Sequence, residues 1–267
     1  MSLRINSNVD ALAAHRHLAR TSDNVSKAME RLSSGLRINK AADDAAGLGI
    51  SEKMRAQIRG LAQAQRNIQD GVSMVQTAEG NLDEVHSILQ RVRELAVQYK
   101  NGSTSIAGKA AIQSEVDELS KEIDRISDSA VFNGVHLLDS SSSSVTFQVG
   151  ANDGETILVS FADLSAAVGT AIDDLSTADL SDIDDAIDAV TALRSGFGAV
   201  QNRLEHALAV TGVYQENLVA AESRIRDVDM AEEMVNLTKN QILQQAGTAM
   251  LAQANQAPQS VLNLLRQ

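Results

Sequence analysis

The side chains that most often catalyse reactions or bind metals are few here, and none stands at a spacing typical of an active site. The chain has no cysteine and five histidines, which are His15, His17, His86, His136 and His206. Two residues apart on a helix, His15 and His17 point about 200° from each other and cannot bind one metal ion. Because the other three have no partner at ligand spacing, we interpret all five as surface residues and predict no metal site.

Adjacent acidic pairs and one glycine motif are the remaining candidates for chemistry. Gly47-Leu48-Gly49 follows no strand pattern and lacks the third glycine of a dinucleotide-binding loop, so we assign it a local role beside a helix end. Neighbouring carboxylates on one element do not converge as an acid and a base, so solvation or helix capping is expected for three pairs: Asp43-Asp44, Asp184-Asp185 and Glu232-Glu233. The sequence therefore predicts no catalytic residue, no cofactor and no enzyme activity.

Composition excludes several classes of partner. The 267 residues carry 23 Lys and Arg against 35 Asp and Glu, a net charge of −12, and only 2 % are aromatic. Such a chain suits neither nucleic acid nor an anionic membrane surface. It contains no apolar run of about 18 residues, so we expect no membrane span. The region from Met1 to Asp10 lacks the pattern of a secretory signal, which by itself predicts a cytoplasmic protein.

Three heptad seams predict the helices that organise the chain. The longest runs from Val190 to Val228 with Thr211 as its single polar member, and a second runs from Leu61 to Tyr99. A shorter seam joins Ile112 to Ile126. Apolar residues at steps of three and four indicate helices that bury one stripe in a bundle or coiled coil.

The middle of the chain changes period. Val145, Phe147 and Val149 alternate with polar residues, the turn signal Asn152-Asp153-Gly154 follows, and Ile157 begins a second alternating run. This pattern predicts a β-hairpin. The acidic, Ala-rich stretch from Ala166 to Asp188 is interpreted as loop and helix.

Both ends carry weaker helical patterns. A front seam from Leu18 to Leu36 is interrupted at Ser33-Ser34-Gly35, and the back segment from Asn240 to Leu265 contains no charge. An uncharged helix favours contact with protein on several sides, and a solvated Gln-rich tail is the alternative. Six methionines are scattered over helical segments, and we interpret them as packing residues rather than a binding groove: Met29, Met54, Met74, Met230, Met234 and Met250.

The predicted fold is mainly α, a long antiparallel helical coiled-coil bundle with a small β-hairpin element. Neither end is apolar enough to fold alone, so we expect the ends to order when they meet each other and neighbouring subunits. The predicted domains are a front helix (1–40), the first part of the bundle (41–138), an acidic variable region with the hairpin (139–189), a long bundle helix (190–229) and a back helix (230–267).

Five motifs lie in the two ends of this chain. They are SSGLRINKAADDAAGLGISEKMRAQIRGL (33–61), IQDGVSMVQTAEGNLDEVHSILQRVRELAVQ (68–98), FNGVHLL (132–138), ENLVAAESRIRDVDMAEEMVNLTKNQIL (216–243) and VLNLLR (261–266). Through these motifs, and in their order, both ends resemble bacterial flagellin over some four fifths of the sequence. Because residues 139–189 are few, the resemblance is to a short form that lacks the large outer domains.

The resemblance implies a structural subunit that polymerises into the flagellar filament used for motility, with the terminal helices forming an inner tube. A flagellin-like hook-filament junction protein is the alternative, and a chemoreceptor-type signalling coiled coil is a further one. The resemblance also implies secretion through the flagellum's own channel to an extracellular filament, which would overrule the cytoplasmic prediction. The implied partners are other copies of the chain, an export chaperone, a filament cap protein and hook-junction proteins.

The resemblance extends to two segments that host receptors recognise in relatives. Arg91, Leu95 and Glu115 match positions that a vertebrate Toll-like receptor contacts, although packing of Leu95 in the helical layer is the alternative. The tail resembles the segment sensed by a cytosolic immune receptor, through Val261, Leu262, Leu264, Leu265 and Arg266.

Overall fold

In the computed structural model, the described residues are 8–139, 144–161, 163–168, 175–176 and 179–265, and the side chains of 167 and 257–265 are excepted. The helices are α1 (Val9–Ser34), α2 (Ala45–Lys100), α3 (Ile106–Ser129), α4 (Leu164–Val168), α5 (Leu180–Arg226) and α6 (Met230–Leu265). The strands are β1 (Val131–Phe132), β2 (Val135–His136), β3 (Ser144–Gln148) and β4 (Thr156–Ser160). The predicted mainly helical fold is confirmed.

The chain forms two compact units. Unit 1 combines Met1–Arg55 with Leu218–Gln267, and unit 2 is Ala56–Asn217. Helices α2 and α5 each begin in one unit and end in the other. The five predicted domains remain a prediction.

Unit 2 holds the hydrophobic core. The seam that begins at Leu61 is buried along α2, and it packs with Val116 and Ile123 of α3 and with Val190 and Leu204 of α5. Three amphipathic helices thereby bury their apolar stripes against one another, as the heptad patterns predict. Helix α5 begins at Leu180, ten residues before the start that its heptad seam indicates.

Ion pairs show that α2 and α5 run antiparallel within unit 2. As residue numbers rise along α2, the numbers of their α5 partners fall: Asp83 pairs with Arg194 at 2.9 Å and Arg93 pairs with Asp184 at 2.5 Å. The predicted antiparallel bundle is therefore present in this unit.

Two small antiparallel hairpins complete unit 2. The predicted hairpin is confirmed, with β3 and β4 in register from Ser144 opposite Ser160 to Gln148 opposite Thr156. It contacts both long helices, since Asn67 Nδ2 donates to the carbonyl of Gln148 and Thr211 Oγ1 donates to that of Val149. The second hairpin, β1 with β2, is not predicted by the sequence pattern.

Unit 1 is built on the pairing of α1 with α6. The two helices run antiparallel, because Asn8 Nδ2 donates to the carbonyl of Ala254 at 2.8 Å while Arg31 lies 3.7 Å from Glu233. Helix α1 begins at a cap in which Asn8 Oδ1 accepts from the amide of Ala11. It ends at Gly35, whose φ of +73° is the left-handed conformation common after a helix.

Candidate assembly interface

Few of the apolar side chains of unit 1 are fully buried, and many are exposed. Among its described residues, the buried apolar side chains are Ala28, Ile38 and Leu237. A larger set is exposed: Val9, Leu12, Met29, Ile50, Val219, Met230, Met234, Val235, Ile242, Leu243 and Met250. Exposed apolar area on this scale marks a surface that binds another molecule. We call these eleven residues the terminal apolar set.

The contact between α1 and α6 is close but thin. A Cβ added to Gly247 of α6 would lie 3.3 Å from Leu18 Cδ1 of α1, so the two helices approach tightly at that level. One pair of helices can bury only one stripe on each, which leaves the other faces of the uncharged segment uncovered. The lack of charge from Asn240 to Leu265 is the feature of the sequence that predicts this exposed surface.

Backbone hydrogen bonds join the segment that follows α1 to the segment between α5 and α6. The amide of Arg37 donates to the carbonyl of Arg226 at 2.7 Å, and the amide of Val228 donates to that of Gly35 at 3.0 Å. The Arg37 guanidinium also donates to the carbonyl of Ile225. These bonds fix the point at which α1 gives way to α2 and α5 gives way to α6, and no sequence motif indicates them.

An ion pair lies beside this junction. Arg226 Nη1 donates to Glu52 Oε1 at 2.6 Å. That hydrogen bond holds the pKa of the Glu52 carboxyl below its usual range, with a smaller contribution from the charge of Arg55. Glu52 is therefore ionised at neutral pH and ties the end of α5 to the beginning of α2.

The glycine motif and its neighbouring acids have the local role that the sequence predicts. Asp44 Oδ1 accepts from the amide of Gly47 at 2.8 Å, which caps the beginning of α2. A Cβ on Gly47 would lie 2.5 Å from Asp44 Oδ2, so a larger residue would displace the capping carboxylate. Asp43 accepts from the amides of Asn39 and Lys40 in the preceding turn, and these backbone hydrogen bonds lower the pKa of its carboxyl.

The solvated role expected for Glu232-Glu233 is wrong for one member of the pair. Glu233 is buried to 8 % exposure, where its carboxylate lies 3.7 Å from the Arg31 guanidinium of α1. A carboxylate is seldom buried unless it has a partner, and here the packing of α1 on α6 supplies one. This contact joins residues 202 positions apart, so local sequence could not reveal it.

The packing role expected for the methionines holds for Met74 of unit 2, and Met54 of unit 1 is half-buried. Met74 is 5 % exposed and belongs to the core. In contrast, half or more of the surface of Met29, Met230, Met234 and Met250 is exposed. For these four the interpretation as core-packing residues is wrong, because the single helix pair of unit 1 leaves their faces uncovered.

The residues matched to a Toll-like receptor site lie on α2 and α3 of unit 2. Arg91 Nη2 pairs with Glu115 Oε1 at 2.9 Å, and Arg91 Nη1 pairs with Glu94 Oε2 at 3.1 Å, all at the surface. The hydrogen bond that Arg91 donates to Glu115, followed by the one that it donates to Glu94, raises the pKa of Arg91. Leu95 is 2 % exposed and packs in the core, so Arg91 and Glu115 are the members of the trio that a receptor could reach.

The predicted contacts of the tail cannot be placed by their side chains. Val261, Leu262, Leu264 and Leu265 belong to α6, but their side chains lie outside the described part of the structure, as does the whole of Arg266. Over the residues that are described, no helix is long and apolar enough to span a membrane, and no three potential metal ligands are grouped. His15, His17 and His206 are exposed, while His86 and His136 are half-buried.

A bundle of long helices with a short hairpin, and a terminal helix pair with many exposed apolar side chains, are the features of a structural subunit that associates. Family models identify which one: the bacterial flagellin N-terminal helical region matches residues 5–143, and the bacterial flagellin C-terminal helical region matches residues 180–265. The chain belongs to the bacterial flagellin family.

Individual relatives agree with the family models over nearly the full length. A flagellin of Halalkalibacterium halodurans is 55 % identical over 98 % of this chain and 99 % of its own, and one of Bacillus subtilis is 49 % identical over 99 % and 100 %. The flagellar filament 33 kDa core protein of Treponema phagedenis is 49 % identical over 98 % and 99 %. The chain is a structural subunit that polymerises into the flagellar filament used for motility.

Solved structures share the fold. A crystal structure of Bacillus cereus flagellin has a TM-score of 0.51 at 30 % identity and covers 54 % of this chain and 88 % of that one. A hook-associated protein structure from Vibrio parahaemolyticus has a TM-score of 0.58 at 14 % identity, covering 69 % of this chain and all of that one, which shows a common fold alone.

Proposed function

We propose that unit 1 completes its folding by polymerisation, and that the terminal apolar set is the surface on which copies of the chain meet. The observation that carries the proposal is the contrast between three buried and eleven exposed apolar side chains in the described part of this unit. A helix pair with so little buried area is marginal by itself. Burial against neighbouring copies supplies the missing free energy at about 25 cal/mol per Å² of apolar surface.

Association of this kind is heterologous and open. One face of the α1–α6 pair meets a different face on the next copy, so each addition leaves an unoccupied face for another. The uncharged segment beyond Lys239 supports this arrangement, because a helix surrounded by protein gains nothing from charged side chains. We assign the predicted domains 1–40 and 230–267 to the inner tube of the filament.

We further propose secretion to the extracellular filament, with an export chaperone, a filament cap protein and hook-junction proteins as partners. The low stability proposed for unit 1 supports this route, since segments that are stable only in the filament are easily kept unfolded until they are incorporated. The short acidic region 139–189 gives the filament a slim outer surface, whose negative charge keeps filaments apart in solution.

Host receptors are proposed partners as well. The exposed ion pair of Arg91 with Glu115 supports recognition of unit 2 by a Toll-like receptor. Exchanging both charges, Arg91→Glu with Glu115→Arg, keeps the ion pair but inverts its polarity. We expect the exchange to weaken receptor activation while lowering the melting temperature of the subunit only slightly, through loss of the exposed pair with Glu94.

The assembly surface is tested by one substitution and a matched control. Ile242→Gln changes a 61 % exposed side chain of α6, and Leu158→Gln changes a 52 % exposed one on β4 of unit 2. We expect Ile242→Gln to raise the subunit concentration needed for seeded growth by about tenfold, the equivalent of about 1.4 kcal/mol of lost burial. Leu158→Gln is expected to polymerise like the parent chain.

Two results would contradict the proposal. One is unchanged growth of Ile242→Gln, and the other is equal loss in both variants, which would point to a general defect instead of a surface in unit 1. Copy number separates the alternative role at the hook-filament junction, because a junction protein forms a single short ring whereas a filament subunit extends indefinitely from a seed.

A further inference from the structure

Four methionines of unit 1 share an unusual exposure. Met29, Met230, Met234 and Met250 are 54 %, 50 %, 51 % and 64 % exposed, whereas Met74 in the core of unit 2 is 5 % exposed. A thioether is apolar and gains from burial, so exposure of this many on one helix pair is costly unless another surface covers them. Side chains exposed to this extent are within reach of reagents in solution while the subunit is free.

Three of the four lie at one end of the α1–α6 pair. Met230 and Met234 are one helical turn apart on α6 and flank the buried Glu233. Because Glu233 contacts Arg31 across the pair, Met29 lies on α1 within one turn of the same level. Met250 lies farther along α6, in the uncharged segment.

We propose that these four thioethers are an oxidation site that blocks addition of the subunit to the filament. The proposal rests on the function proposed above, in which the terminal apolar set becomes buried between copies. A peroxide is the oxidant: its O–O bond breaks, one oxygen atom is transferred to the methionine sulfur, the sulfur loses two electrons, and water is the other product. The reaction gives methionine sulfoxide, which a sulfoxide reductase converts back.

The block follows from the polarity of the product. A sulfoxide oxygen is a strong hydrogen-bond acceptor, and burying it in an apolar contact without a donor is unfavourable. The free subunit tolerates the change because these side chains are already half in water. Subunits within the filament should resist oxidation, since their neighbours cover the same sulfur atoms.

The test uses the full-length chain and hydrogen peroxide. Peptide mass spectrometry measures the oxygen added at each methionine, first in free subunits and then in filaments, and seeded growth is measured on the same samples. We expect the four exposed methionines to react before Met74 in the free subunit, and to react at least about tenfold more slowly in the filament, where they are shielded. Growth of the oxidised subunit should fall by about tenfold or more.

Two variants and one rescue make the test specific. The variant with Met29→Leu, Met230→Leu, Met234→Leu and Met250→Leu should keep its growth after peroxide, whereas Met74→Leu should be as sensitive as the parent. Treatment of oxidised parent subunits with sulfoxide reductase should restore growth even if the quadruple variant assembles poorly.

The outcomes separate the two proposals. Unimpaired growth of oxidised parent chains, or a quadruple variant that is still blocked by peroxide, overturns the oxidation site alone. Failure of untreated parent subunits to grow on seeds overturns the proposed assembly surface, and the oxidation site falls with it.

Discussion

The two compact units contain similar amphipathic helices but differ in how much of the apolar surface of those helices they bury. Unit 2 buries α2, α3 and α5 around one core in which Val75, Val85 and Leu89 are fully covered. Unit 1 is built on one helix pair, and among its described large apolar side chains only Ile38 and Leu237 are buried while the terminal apolar set is exposed. In unit 2 a third helix covers the apolar stripes of the other two, and in unit 1 we propose that another copy of the chain does so.

The largest expected effect contrasts one leucine from each unit. Leu89→Ala opens a cavity in the core of unit 2 and should lower the free energy of unfolding of the free subunit by about 3 kcal/mol. Leu12→Ala removes an exposed side chain of unit 1 and should change it by less than about 0.5 kcal/mol. Urea unfolding followed by circular dichroism measures both. Comparable losses would mean that unit 1 is as well packed in the free subunit as unit 2.

A second expectation concerns the cap of α2 in unit 1. A Cβ at position 47 would lie 2.8 Å from Ile38 Cδ1 as well as close to Asp44, so Gly47→Ala should destabilise unit 1 in the filament by about 2 kcal/mol. Gly49→Ala, two residues on and with nothing within 4 Å, is the control and should stabilise the helix slightly. The melting temperatures of filaments made from the two variants measure the effect. Equal values would contradict the role of Gly47 in the cap.

A third expectation is a gain in unit 2. Gly196 lies inside α5 with open space around it, so Gly196→Ala should raise the free energy of unfolding of the subunit by about 0.8 kcal/mol. Gly71→Ala is the matched control, because its Cβ would lie 3.3 Å from the Phe147 ring and should gain less. If Gly71→Ala raised the free energy of unfolding more than Gly196→Ala in the same urea experiment, the result would contradict this expectation and show that the Phe147 ring moves aside easily.

The smallest effect is a dependence on pH. Arg93 holds the pKa of Asp184 below its ordinary value through a hydrogen bond. The ion pair therefore stabilises unit 2 above that ordinary value, and the contribution is lost as the pH falls through the lowered one. Asp184→Asn should melt slightly below the parent at neutral pH and match it in acid.

Asp185→Asn is the control for that measurement. It removes the same charge from the next residue, for which the described residues include no ion pair. A difference between Asp184→Asn and the parent that is constant from neutral to acid pH would contradict a role for the ion pair.

Periodicity made most of unit 2 predictable. The α2 and α5 seams follow from heptad spacing, and alternation around Asn152-Asp153-Gly154 predicts the β3–β4 hairpin. The β1–β2 hairpin was not predicted, because strands of two residues are too short to show an alternation of apolar and polar side chains. Its Asn133-Gly134 turn, with φ of 47° and 82°, was the available signal.

The candidate interface was less accessible from sequence. The uncharged back segment indicates a helix in contact with protein, but the burial of Glu233 and the exposure of the methionines depend on which face of α6 meets α1. That choice is made by tertiary packing between residues some 200 positions apart. The junction hydrogen bonds of Arg37 with Arg226 and Ile225 have the same origin.

Hydrogen exchange of the free subunit and of the filament tests most directly whether unit 1 is completed by polymerisation. In the free subunit, amides of α1 and α6 should exchange at least about a hundredfold faster than those between Leu61 and Leu95 of α2, because little burial protects them. In the filament their protection should approach that of α2. Free subunits in which α1 and α6 are already protected as strongly as α2 would contradict the account.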